Sequence, residues 1–153
     1  MNPTPTDRIE RTIVVHAPRS RVWRALTDPE EFGAWFGVKV EGAFAPGARV
    51  RGAITHPGYE HLTWEITIER MEPERLFSWR WHPYAVEPGV DYSDETPTLV
   101  VFELEEVAEE LTVLESGFDQ VPLARRAQAY RMNEEGWTHQ VQAIARYVTQ
   151  ADQ

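Results

Sequence analysis

Glu115 is the side chain of this sequence with the widest scope for acid–base chemistry. It lies in the run ELTVLESGF, where it shares one alternating set with Leu111 and Val113. If that set faces inward, Glu115 is a buried carboxylate with a raised pKa, a general acid or base in waiting. Both alternating sets of this run contain polar residues, so the pattern leaves its facing open. Arg80 and His82 flank Trp81 in LFSWRWH. Alternation puts both on the wet face of a strand, where a solvated edge explains them without any chemistry. The hydroxyl of Tyr130 is a donor that an apolar cavity would use, and plain packing accounts for it equally well.

Metal and cofactor chemistry finds little support. The five histidines, His16, His56, His61, His82 and His139, have no H-x-x-x-H or H-E-x-x-H spacing, and there is no cysteine. Thiolate sites, iron–sulfur clusters and disulfides are therefore excluded. No G-x-S-x-G, P-loop or G-x-G-x-x-G run occurs. No catalytic residue, metal or cofactor is assigned.

What the sequence does supply is aromatic surface: six Trp, five Tyr and six Phe. Tryptophan is a demanding way to fill a core, because its N–H needs a partner. In LTWEITIERM, Leu62, Trp64, Ile66 and Ile68 alternate with polar residues, and Phe77, Trp79 and Trp81 do the same in LFSWRWH. Val100, Phe102 and Leu104 form the apolar set of TLVVFELEEV. Strict alternation of this kind gives one apolar and one wet sheet face.

The surrounding elements follow from period and punctuation. Met1 to Asp7 is expected to be a flexible tail. Ile9 to Val15 reads as a strand, and Pro18 opens a helix over RSRVWRAL with Val22, Trp23 and Leu26 on one face. Asp28-Pro29-Glu30-Glu31 starts a second short helix, with Asp28 as cap and Glu31 where a capping-box acid belongs. Phe32, Trp35 and Phe36 follow at helical spacing. VKVEG and ARVRGAI are short strands, and Pro83 to Pro97 is a long polar loop containing Tyr84 and Asp91-Tyr92. Asn133-Glu134-Glu135 looks like the start of a last helix, with Trp137, Val141, Ile144 and Val148 as its apolar stripe. Leu123 to Met132 is also helical in pattern, although Arg125 and Arg126 in a first turn oppose the helix dipole.

A helix from Asn133 to Thr149 is about 25 Å long and spans roughly five strands. Laid across the apolar face of a curved antiparallel sheet, it makes an α+β domain occupying residues 1–153. The space beneath it is lined by Trp64, Trp79, Trp81 and Phe102, with Trp137 on the lid. Phe36, Phe77, Phe118, Tyr130 and Val141 complete the candidate ligand-binding residues. Gly136 beside Trp137 is expected to let the helix backbone approach closely. Whether the space is an open cavity or a filled core stays undecided at this level.

ALTDPEEFGAWF, WEITIERMEPERLFSWRW and the pair ESGF and EEGW resemble the SRPBCC (START-like, birch-pollen-allergen-like) superfamily. Within it they are similar to the branch named for homologues of the activator of heat-shock protein 90 ATPase, over about Ile9 to Val148. The resemblance implies a helix-grip fold: a curved antiparallel sheet wrapped on a long C-terminal helix, two short helices after the first strand, and a cavity for hydrophobic molecules. It implies binding of a hydrophobic, aromatic small molecule as the first reading. An aromatase/cyclase-like enzyme working in the same cavity is the second. A co-chaperone is the third, weakened because the eukaryotic activator carries a separate N-terminal domain for which this chain has no room.

The charge balance, 25 acids against 15 bases for a net −10, repels phosphate backbones and anionic lipid. Nucleic acid and membrane are thus poor partners. The N-terminus lacks the basic start and apolar run of a signal peptide. A cytoplasmic monomer or homodimer is expected.

Overall fold

A computed structural model describes residues 8–55, 57–58, 62–82, 95–105 and 110–150. The chain runs β1 (Arg8–Val14), α1 (Arg19–Thr27), α2 (Pro29–Phe36), β2 (Val38–Glu41), β3 (Arg49–Ile54), β4 (Thr63–Glu72), β5 (Leu76–Trp81), β6 (Thr98–Glu105), β7 (Glu110–Ser116), a 3-10 turn (Phe118–Gln120) and α3 (Leu123–Gln150). The seven strands form one sheet in the order β1-β7-β6-β5-β4-β3-β2, antiparallel throughout. With α3 laid along its apolar face and α1 and α2 at one side, this is the helix-grip arrangement. Most of the expected loop from Pro83 lies outside the described residues, as do Tyr84, Asp91, Tyr92, His56 and His61.

Alternation decides what the sheet buries. Trp64, Ile66 and Ile68 of β4, Phe77 and Trp79 of β5, Val100, Phe102 and Leu104 of β6, and Leu111 and Val113 of β7 are all buried. Ser78, expected on the wet face, is buried too. Alternation still holds there, since Ser78 lies between the inward Phe77 and Trp79 and opposite Val101, so it is buried on the outer face of the sheet.

The helical termini are set by local chemistry. Asp28 caps α2, accepting from the backbone N–H groups of Glu30 and Glu31 at 2.9 and 3.2 Å. The side chain of Glu31 does not return to the cap as a capping box would. It pairs instead with Arg21 at 2.7 Å and Arg24 at 2.8 Å, and accepts from the Tyr147 hydroxyl at 3.1 Å. That cluster ties α1, α2 and the end of α3 together. Gly37 ends α2 in the left-handed region, φ 92°, where a side chain would be strained. Pro18 caps α1 rather than occupying its first turn.

Leu123–Gln150 is one 28-residue helix, about 42 Å long, not a helix starting at Asn133. Arg125 and Arg126 sit in its first turn for reasons outside the helix. Arg125 grips both oxygens of Glu95, and Arg126 donates to the carbonyls of Val121 and Asp119. Trp137, Val141, Ile144 and Val148 form the buried stripe. Gly136 does not mark a close approach, since a Cβ there would have no neighbour within 4 Å.

Candidate functional site

The inward rings of β4, β5, β6, α2 and α3 meet in one continuous cluster. Trp79 is its centre, with ring centroids 5.2 Å from Phe102, 5.5 Å from Trp81, 5.6 Å from Phe77 and 6.4 Å from both Trp64 and Trp137. Phe36, at the end of α2, reaches Trp64, Trp81 and Trp137 at 6.0, 6.3 and 6.4 Å. Trp79 and Phe102 are fully buried, so the middle of the space under α3 is packed with rings. Packing of this kind makes each ring part of the core as well as of any site.

Two of the expected residues lie elsewhere. Phe118 and Tyr130 pack on each other edge to face at 5.2 Å, and the Tyr130 hydroxyl donates to the Arg8 carbonyl on β1 at 3.0 Å. That donor is directed to the sheet edge rather than into the aromatic cluster. Val141 is buried in the α3 stripe. Arg80 is exposed and pairs with Glu69 at 2.7 Å, while a ring nitrogen of His82 lies 2.8 Å from the Glu95 carbonyl. Among the described residues no group of three or more His, Asp or Glu is placed to hold a metal ion.

Glu115 faces inward and is 0% exposed. Four donors converge on it from three elements. Oε2 accepts from Trp81 Nε1 at 2.7 Å and Thr98 Oγ1 at 2.5 Å, and Oε1 from Trp137 Nε1 at 2.8 Å and Asn133 Nδ2 at 2.9 Å. Burial is the dominant influence and pushes the Glu115 pKa up; the bonds from Thr98, Asn133, Trp137 and Trp81 act in the opposite direction. Indole N–H groups can only donate, whereas the Thr98 hydroxyl can reverse its role and the Asn133 amide can turn its oxygen toward the carboxyl. The Thr98 hydroxyl also lies 3.5 Å from the Trp81 carbonyl. A neutral Glu115 therefore holds its proton against Thr98 on Oε2 or against Asn133 on Oε1.

A pocket of about 90 Å³ opens beside this carboxylate, at the seam between α2 and α3. It is lined by Phe36, Trp81, Asn133, Gly136, Trp137 and Gln140. Three of those six, Trp81, Asn133 and Trp137, are the N–H donors to Glu115, so the carboxylate sits behind the wall and holds it. Gln140 joins the two helices, its Nε2 donating to the Phe36 carbonyl at 3.0 Å. Asn133, Thr98 and Gln140 did not stand out in the sequence. The available signal was indirect: buried indoles and an inward glutamate need partners of complementary type.

Residues 16–149 match the family model described as Activator of Hsp90 ATPase homolog 1-like protein. No curated protein matches the chain. Among solved structures, DynU16, a protein in the dynemicin biosynthetic locus, is 28% identical with a TM-score of 0.71. The alignment covers 95% of this chain and 48% of DynU16, so the chain spans about half the length of that relative. Protein MLL2253 from Mesorhizobium loti is 22% identical, TM-score 0.74, over 95% of this chain and 99% of its own. The Aha1 dimer from Colwellia psychrerythraea is 16% identical, TM-score 0.64, over 90% and 92%. The last two show likeness of fold alone.

Proposed function

The chain belongs to the Activator of Hsp90 ATPase homolog 1-like family, and within it we propose that this protein binds a hydrophobic, aromatic small molecule in the cytoplasm. The observation that carries this reading is the pocket walled by Phe36, Trp81 and Trp137, whose two indoles are held in place from behind by Glu115. Pre-set aromatic walls bind flat apolar ligands without the entropic cost of ordering them on arrival. A pocket of about 90 Å³ takes one ring or the edge of a larger system, the rest lying in the mouth of the seam. The net charge of −10 argues against nucleic acid or an anionic membrane as the partner.

The second reading, a cyclase-like enzyme, draws on the likeness to DynU16 and on Glu115 as the acid. Both oxygens of Glu115 already serve the fold, and a substrate would have to displace Asn133 or an indole to reach them. Binding without turnover is therefore the better-supported function.

Titration with a panel of neutral mono- and polycyclic aromatics, followed by tryptophan emission and calorimetry, tests it. Saturable one-to-one binding at roughly micromolar Kd for the best members is expected. An absence of saturable binding across the panel would overturn the reading.

A further inference from the structure

The polar atoms around the pocket are unequal in kind. Each donor atom in its wall already makes one bond: Trp81, Trp137 and Asn133 all donate to Glu115, and one amide N–H of Gln140 goes to the Phe36 carbonyl. The carbonyl oxygen of Gln140, by contrast, is buried and accepts no hydrogen bond. Its orientation is settled by chemistry. The Phe36 carbonyl can only accept, so the amide must present nitrogen to it and keep Oε1 on the other side. A buried acceptor without a donor costs about 1–3 kcal/mol.

We propose that the ligand is an aromatic molecule bearing a hydrogen-bond donor, a ring hydroxyl of the phenol type, and that Gln140 Oε1 accepts from it at the α2–α3 seam. This rests on the binding function above and adds its selectivity. Acceptor-only analogues, ethers and ketones, leave Oε1 unsatisfied. Oε1 is closed to water in this structure, so the ligand reaches it by moving a neighbour. Phe36 is the neighbour best placed to yield: it is the last residue of α2, its ring is only partly buried, and Gly37 follows it in a left-handed conformation.

The probes are phenol, anisole and toluene, matched in ring and differing in the donor. Binding is read by NMR on the indole N–H signals and by calorimetry. Phenol is expected to bind about tenfold more tightly than anisole, which follows from one buried hydrogen bond. In Gln140→Met the two should bind alike. Phe36→Ala, which removes the ring proposed to yield, should raise the ratio of phenol to toluene affinity. If all three probes bind equally to the wild type, the selectivity is overturned and the binding function stands. A phenol preference that survives in Gln140→Met assigns the acceptor elsewhere and overturns the role of Gln140. If none of the three probes nor any member of the aromatic panel binds, both readings fall together.

Discussion

Trp81 on β5 and Trp137 on α3 lie 5.9 Å apart, and their N–H groups go to opposite oxygens of a single carboxylate, that of Glu115. Strand and helix are thus cross-linked through one buried acid. The pocket wall and the bond between the sheet and its covering helix are the same set of atoms.

Removing the acid should therefore be costly in a way that its own size does not explain. Glu115→Ala leaves the buried Trp137 N–H and the half-buried N–H groups of Trp81 and Asn133 without their acceptor, at about 1–3 kcal/mol for each that water does not reach. A loss of at least about 3 kcal/mol in urea unfolding is expected. Glu115→Gln, which keeps one acceptor oxygen but sets an NH₂ group against two donors, should fall between Ala and wild type. Wild-type stability in Glu115→Ala would show that the four bonds contribute nothing net.

The same acid gives stability a pH dependence of definite sign. Burial raises its folded pKa above the ordinary value of 4.5, so the folded state binds the proton more tightly than the unfolded state. Stability then falls as pH rises from the ordinary carboxylate range through the folded pKa, because the native state holds the extra proton there. The contribution is fully present below the unfolded pKa. Subtracting the pH profile of Glu115→Gln from that of wild type isolates it. A difference that grows in favour of wild type with rising pH would reverse the assignment, making the four donors stronger than burial.

Trp137 is 3% exposed and touches Phe36, Trp79, Trp81 and Phe102. Trp137→Ala should cost about 3–5 kcal/mol, as for a packed core residue. Trp137→Phe restores part of the volume but not the bond to Glu115. The remaining deficit in a thermal melt of the Phe variant, if the Glu115 bond matters, should shrink when Glu115 is also replaced by Gln.

Arg21 is 8% exposed and its partner Glu31 19%, so their pair is largely shielded from water. The two partners differ: Glu31→Leu leaves the Arg21 guanidinium buried without its carboxylate and should cost about 3 kcal/mol or more, Arg21→Met leaves Glu31 with Arg24 and Tyr147 and should cost distinctly less, and the double change should recover much of the Glu31→Leu loss. Denaturant midpoints of the three variants check this. Additive losses would mean that the two side chains act separately.

Much of the frame was legible from local pattern, because a period of two over β4, β5 and β6 is a direct image of a one-sided sheet. The aromatic residues of β4 to β6 and the stripe from Trp137 to Val148 were found in this way. Glu115 was harder. Its strand carries polar residues on both sets, and its partners are 17 to 34 residues distant in the chain, where no short pattern connects them. Asn133 looked like a helix start because asparagine favours caps; it sits in mid-helix with its amide directed to Glu115. Ser78 keeps the face that alternation gives it and is buried there all the same, because a period of two separates the faces and does not say what covers the outer one. The pocket itself depends on how two helices meet, and periodicity describes each helix only singly.

The pairing of β1 with β7 orders events in time. Val14 lies opposite Glu110 and Arg8 opposite Ser116, so the strand made early has no sheet partner until nearly a hundred further residues exist. At about 5–20 residues per second on a ribosome, β1 waits at least several seconds. Meanwhile β2 to β6 can add hairpin by hairpin, each strand beside its predecessor. Glu115 and the N–H groups of Trp137 and Asn133 arrive after that, so the buried acid is installed in the last act of folding. The slow step, by the usual dependence of rate on sequence separation, is the docking of the two chain ends.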